Sequence, residues 1–300
     1  MSAGHPPPGT PRAEVAVEVP LVAALLRAQH PDLARLPLSR LDEGWDNVMF
    51  RLGDHLVVRM PRREAAVGLL AREQDWLPVL AESLPLPVPA PVRRGRAGEG
   101  YPWPWSIVPW IDGETADLAP PSAGEAAAFG KFLAALHRPA PPGAPRNPVR
   151  GVPLASRQAM VEARAARVAA ATDAITPALR RLWEDALAAP IDEADRWLHG
   201  DLHARNVLVR EGRLSGVIDW SDLAAGDRAT DLAAIWGVFG EPLAREEAMR
   251  SCGEVSEATW ARARGWAFAF GVMLLDSGLA DHPRHAAMGA ATLARLGERP

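Results

Sequence analysis

Residues 197–222 place more conditions on the fold than any other stretch of the chain. Trp197-Leu198 and Val207-Leu208-Val209 are short apolar runs, and His199, Asp201, His203 and Asn206 lie between them. Glu211-Gly212 supplies turn formers, and Leu214-Ser-Gly-Val-Ile218 returns as a second apolar run, so 207–218 reads as a β-hairpin with glycine in its turn. Asp219 closes the second strand. A loop of polar anchors followed by a hairpin that ends in an acid brings Asp219 back to the cavity that Asn206 faces.

Those residue types suit one chemistry. A carboxylate at Asp201 can accept the proton of an attacking hydroxyl, while the neutral amide of Asn206 holds a magnesium ion without adding negative charge. Asp219 can bind the magnesium that bridges nucleotide phosphates. The Asp-x-x-x-x-Asn spacing is that of a kinase catalytic loop, and Ile218-Asp219-Trp220 stands where a kinase has Asp-Phe-Gly. His, Asp and Asn are common in turns, but a turn alone does not require this joint spacing.

The stretch His199-Gly-Asp201, Asn206 and Ile218-Asp219 resembles the aminoglycoside phosphotransferase family, with macrolide phosphotransferases as near relatives, and the likeness runs in pieces from Leu41 to Trp236. The resemblance implies an α+β, two-lobed protein-kinase-like fold, with a small antiparallel-sheet N-terminal lobe and a mostly helical C-terminal lobe. The divisions expected are a disordered tail over 1–14, a nucleotide-binding lobe over 15–110, and a helical lobe with catalytic loop and acceptor site over 111–300.

Composition agrees with such an enzyme and excludes other classes. Three hundred residues suffice for two lobes, and a net charge of −4 gives no footprint for nucleic acid. One cysteine, Cys252, rules out an internal disulfide framework and fits a cytoplasmic location. Met1 to Pro11 lacks the basic start and apolar core of a signal peptide, and no apolar run is long enough to span a membrane. Lys131 is the only lysine among 33 basic residues, so positions where lysine is customary need separate scrutiny.

In the N-terminal part, Leu41–Leu52 and Leu56-Val-Val58 read as strands joined by loops. By resemblance Gly44 and Asn47 belong to the loop over the nucleotide phosphates, although one glycine is not a glycine-rich triplet. Arg59 follows Val57-Val58, where a kinase places its phosphate-binding lysine. Arginine keeps the charge and offers a planar fork, and Glu73 on the following helix would orient it. Leu84 to Pro91 is a stiff extended connector. Trp103 to Gly113 is then the hinge strand, where the Pro109 carbonyl would accept from a purine amino group and the Ile111 amide would donate.

In the C-terminal part, Ser122-x-x-Glu125 is a capping-box signature ahead of Phe129 and Phe132. Residues 139–153 form a Pro/Gly loop, and helices are expected over 154–171 and 177–189. Asp231 reads as a structural acid that braces the catalytic loop, and His199 as a scaffold histidine. Trp266, Phe270 and Met273 form a helical stripe, core in character and available to wall an acceptor pocket. Asp222, Glu241, Asp276 and Asp281 are the acids available to a polycationic acceptor.

The resemblance implies a kinase that uses Mg2+ to move the γ-phosphoryl of ATP or GTP to a hydroxyl of an aminoglycoside-like antibiotic or related metabolite. A macrolide phosphotransferase is the alternative within the class. A nucleotide-binding pseudokinase is the alternative outside it: Arg59 and the sparse glycine loop favour that reading, whereas retention of Asp201, Asn206 and Asp219 opposes it. Oligomeric state has no signature in the sequence.

Overall fold

The computed structural model describes residues 12–298. The expected tail over 1–14 thus lies, up to residue 11, outside the described residues. The chain divides into two units, one of residues 12–82 and Val88–Ile111, the other of Ser83–Pro87 and residues 112–298.

The first unit begins with helix α1 (Val19–Gln29), which buries Val22, Leu25 and Leu26; Leu33 lies beyond its end. Strands β1 (Leu38–Glu43), β2 (Asn47–Leu52) and β3 (Leu56–Pro61) follow, then helix α2 (Val67–Ala81) and strands β4 (Arg93–Gly95) and β5 (Trp105–Pro109). The strands form one antiparallel sheet in the order β1-β2-β3-β5-β4. Strand β2 alternates as a half-covered strand should, burying Val48, Phe50 and Leu52, whereas β3, third in the order, is buried along nearly its whole length. That burial encloses Arg59. Phe50, Met60, Trp105 and Ile107 join the apolar face of α1 in one cluster; truncating fully buried Phe50 to alanine should cost about 3–5 kcal/mol.

Proline inside α2 removes an amide hydrogen at Pro78, orphaning the Gln74 carbonyl four residues earlier. The Arg94 guanidinium donates to that carbonyl, and the Gln74 side chain donates to the Trp105 carbonyl at 3.0 Å and to Ser106 Oγ at 2.9 Å. These bonds fasten α2, and with it Glu73, to the sheet.

The second unit runs through β6 (Glu114–Thr115), α3 (Ala126–Leu136), α4 (Gln158–Ala171), α5 (Pro177–Ala188), β7 (Arg196–Leu198), β8 (Val207–Arg210), β9 (Arg213–Val217) and β10 (Ala224–Gly226). Helices α6 (Ala229–Leu232), α7 (Ala234–Val238), α8 (Pro242–Ser251), α9 (Glu257–Asp281) and α10 (Pro283–Gly297) complete it. Strands β6-β8-β9 form one small sheet and β7 pairs with β10. Long helix α9 buries residues on every side because α4, α5, α6 and α10 all pack against it. Ser83–Pro87 belongs here: the Val217 amide donates to the Pro87 carbonyl at 3.0 Å.

Capping departs from the sequence reading at one helix. Ser122 makes no side-chain cap, and the Glu125 carboxylate instead accepts the Leu214 amide at 3.0 Å. The β8–β9 hairpin supplied a donor that competed for the acid, so the reciprocal capping box does not form. Thr176 and Ser256 do cap, accepting the amides of Leu179 and Thr259. Cys252 is buried, its thiol pushed up to about 12 by that burial. Among the described residues no helix is long and apolar enough to cross a membrane.

Candidate active site

Strand pairing brings the acid and amide groups of the second unit together. Val207 lies opposite Val217 across β8 and β9, and the Ile218 amide continues the pairing by donating to the Asn206 carbonyl at 2.9 Å. Asp219 follows at once, exposed and in the left-handed region with φ 62°. Strand β9 itself ends at Val217, so Asp219 lies just past the strand. Asn206 Nδ2 donates to the Asp201 carbonyl at 2.9 Å, which turns its Oδ1 the other way and leaves an oxygen suited to a hard cation.

The loop that carries Asp201 is held from behind. Asp231, fully buried, accepts the His199 amide at 2.7 Å and the Gly200 amide at 2.9 Å. Gly200 has φ 87°, and a Cβ there would lie 2.4 Å from the Asp222 carbonyl oxygen, so the turn admits no side chain. His199 Nδ1 accepts the Asp201 amide at 3.3 Å, which leaves Nε2 to donate to the Ile218 carbonyl at 2.9 Å. His199 therefore ties the Asp201 loop to the residue before Asp219, and its ring rests on Trp220 with centroids 4.8 Å apart.

A residue that the sequence reading did not single out completes the arrangement. Arg150 donates to Asp201 Oδ1 at 2.6 Å, and His203 Nε2 lies 3.5 Å from Oδ2. Burial alone would raise the Asp201 carboxyl, but Arg150 and then His203 outweigh it and hold the group well below the usual carboxylate range. Arg150 sits in the Pro/Gly loop, and no spacing to Asp201 announces it. The loop is pinned: Asn147 Oδ1 accepts the amides of Val149 and Arg150, and its Nδ2 donates to Asp222 at 2.6 Å. Gly151, φ 64°, passes so close to Leu198 that a Cβ would lie 2.3 Å from it. Asp222 is pushed up, first by burial and then by the neighbouring Asp201 carboxylate.

The corner between α9 and α10 also reaches this loop. Arg205 Nη1 donates to His285 Nε2 at 2.8 Å, and the His282 and His285 rings stack with centroids 3.8 Å apart. Burial, then His282 and Arg205, push His285 down to about 4, so it accepts as a neutral imidazole. Of the four acids considered for a cationic acceptor, Asp276 is taken by Arg164 and Arg167, and Asp222 by Asn147; Glu241 and Asp281 are exposed.

The remaining residues lie on the first unit. Arg59, 7% exposed, pairs with Glu73, 1% exposed. Gly44 donates its amide to the Asn47 carbonyl at 2.9 Å and accepts from Arg62 at 2.9 Å. A Cβ on Gly44 would meet nothing nearer than 3.8 Å, so sterics do not demand glycine at this turn. Asn47 opens β2, its Oδ1 buried without a partner among the described residues. The Trp110 amide donates to the His55 carbonyl at 2.7 Å, and the alternation of an antiparallel ladder turns the Pro109 carbonyl away from β3. Ile111 ends the unit.

A sheet-built unit with a buried Arg–Glu pair and a helical unit with an Asp-Asn-Asp constellation define the class of protein-kinase-like phosphotransferases with an alcohol acceptor. The family model described as "Phosphotransferase enzyme family" matches residues 37–266, and the chain belongs to that family. Its fold is similar to that of the GDP complex of aminoglycoside 2'-phosphotransferase-IIIa, at 18% identity and TM-score 0.62 over 92% of this chain and 97% of that one. It is also similar to macrolide 2'-phosphotransferase MphH from Brachybacterium faecium, at 24% identity and TM-score 0.59 over 93% and 98% of the two chains. A stretch of 50 residues is 50% identical to viomycin phosphotransferase of Streptomyces vinaceus, spanning 15% of this chain and 17% of that one.

Proposed function

We propose that the chain is a magnesium-dependent small-molecule kinase that moves the γ-phosphoryl of ATP or GTP to a hydroxyl of an aminoglycoside-like antibiotic or a related metabolite. The observation that carries this reading is the Asn206–Ile218 backbone bond, which sets Asn206 beside Asp219 and within the loop of Asp201. Asn206 Oδ1 and the Asp219 carboxylate fit magnesium, which takes few protein oxygens and keeps its remaining positions for water and phosphate. Bound there, magnesium would neutralise charge on the phosphates.

In this reading Arg59, oriented by Glu73, grips phosphate; the turn of Gly44 and Asn47 covers it; the Pro109 carbonyl and Ile111 amide read the base. Asp201 takes the hydroxyl proton. A carboxylate held so far below its usual range is a weak base toward a resting alcohol. It accepts the proton late, when the loose transition state has drawn the hydroxyl oxygen onto phosphorus.

A macrolide-type acceptor is the second reading, supported by the likeness of the fold to macrolide 2'-phosphotransferase MphH at 24% identity. A pseudokinase has no use for a base beside two metal-binding groups. The experiment is a thermal-shift series with ATP and GTP, each with and without magnesium: a rise in Tm that needs magnesium supports the reading, and indifference to both nucleotides opposes it.

A further inference from the structure

The turn between β1 and β2 holds its shape through arginine side chains and not through glycine. Gly44 lies outside the left-handed region, and a Cβ there has room. Arg62 and Arg63, which follow β3, bind the turn instead. The Arg62 amide donates to the Asp46 carbonyl at 2.9 Å, its Nη1 donates to the Gly44 carbonyl at 2.9 Å, and its Nη2 pairs with Glu43 at 2.5 Å. Arg63 reaches Asp46 Oδ1 with both Nε and Nη2, at 3.0 and 2.6 Å. The backbone that carries the two side chains is itself fastened. Buried Tyr101 donates its hydroxyl to the Pro61 carbonyl at 2.8 Å, and the Glu14 amide donates to the Arg62 carbonyl at 2.9 Å. Arg62 is buried, so the clamp is part of the packed unit and not a pairing of surface charges.

This clamp decides which way the peptides of the turn face. A trans peptide points its N–H opposite to its C=O. With the Gly44 and Asp46 carbonyls drawn to Arg62, the amides of Trp45 and Asn47 face away from it. Strand register puts the turn next to Arg59: Met49 stands opposite Arg59, and Asn47, two residues nearer the turn, stands opposite Pro61. Amides turned out of a loop beside a cation suit the oxygens of an anion.

We infer that Arg62 and Arg63 are positioning residues for the nucleotide phosphates: they hold the β1–β2 turn in the shape that presents its amides, and do not grip phosphate themselves. The inference rests on the kinase reading and deepens its nucleotide site. Both guanidinium groups are engaged with the turn, Arg62 through Gly44 and Glu43 and Arg63 through Asp46. The planar fork of arginine suits this task, because it fixes a carboxylate and a backbone carbonyl in direction as well as in distance. A loop clamped in this way needs no glycine triplet, so the single glycine does not weigh toward a pseudokinase.

The test measures binding of ATP and GTP with magnesium, and of adenosine and guanosine, to the full chain by calorimetry. The parent is compared with Asp46→Ala, Arg63→Gln, Arg63→Lys and the double variant Asp46→Ala with Arg63→Gln. Asp46 and Arg63 are partly exposed, so these changes spare the core. Asp46→Ala and Arg63→Gln should each raise the triphosphate Kd by about tenfold, the worth of one charge-assisted bond, and leave the nucleoside Kd unchanged. The double variant should be no worse than either single change, because both remove the same bond, and Arg63→Lys should keep part of the affinity. The sign for Asp46→Ala is decisive. Removing a carboxylate frees Arg63, so an arginine that gripped phosphate itself would bind the triphosphate as well as before or more tightly. That result overturns the inference and leaves the kinase reading standing, and so does an equal loss of triphosphate and nucleoside affinity. A parent that binds neither triphosphate overturns both.

Discussion

Arg150 reaches Asp201 at 2.6 Å across 51 residues of sequence, so the base expected from a local motif has its charge set by a distant loop. Because the pair lowers the folded pKa of Asp201, it stabilises the fold above the unfolded carboxylate pKa of about 3.9, and that stability is lost as pH falls below it. Arg150→Ala removes the chief influence opposing burial. The acid limb of kcat/KM, below the working range in the parent, should then move up toward or into the range of ordinary carboxylates. A profile measured from about pH 4 to pH 8 checks this; superimposable parent and variant limbs contradict it.

Asp231 should prove structural. Asp231→Ala leaves the buried amides of His199 and Gly200 without acceptors, at about 1–3 kcal/mol for each. Asp231→Asn keeps one oxygen acceptor and should lose less. Urea unfolding of the two variants ranks them, and equal stability to the parent would remove the brace.

The proposed grip of Arg59 on phosphate predicts that Arg59→Ala raises the nucleotide KM and lowers kcat, whereas Arg59→Lys keeps substantial activity as a point charge. Burial against Glu73 adds a second effect: alanine removes the guanidinium paired with a buried carboxylate and costs about 3–5 kcal/mol, which Glu73→Gln in the same chain should partly restore. Steady-state kinetics with ATP and GTP, beside thermal melts, separate the two. Parental kcat/KM in the alanine variant would refute the role.

Asp219→Asn removes one charge from the proposed magnesium shell, so the magnesium requirement should rise together with the nucleotide KM. A magnesium titration at fixed ATP reads both. An unchanged midpoint would take Asp219 out of the shell.

Local patterning made the hairpin legible, and the resemblance carried by His199-Gly-Asp201, Asn206 and Ile218-Asp219 implied the kinase-like fold and the Arg59–Glu73 pair. Val57-Val58 put Arg59 on an interior strand, and helical spacing put Glu73 on α2. What depends on long-range packing was not legible. Arg150 lies in a loop whose Pro and Gly content announces only irregular backbone; its aim at Asp201 comes from Asn147 and Gly151, which the tertiary structure pins. Glu125 satisfied a local capping rule and was drawn to the Leu214 amide instead. Asp276 looked available for an acceptor until α4 brought two arginines onto it.

The central claim is that Asp201 is the base of a phosphoryl transfer, and the most direct measurement is γ-phosphoryl transfer by the parent and by Asp201→Ala at saturating magnesium-nucleotide. With Asp201 serving the acceptor as proposed, the variant should bind nucleotide nearly as the parent does and lose on the order of 10²–10⁴ in rate. Transfer by Asp201→Ala within a fewfold of the parent would contradict the account.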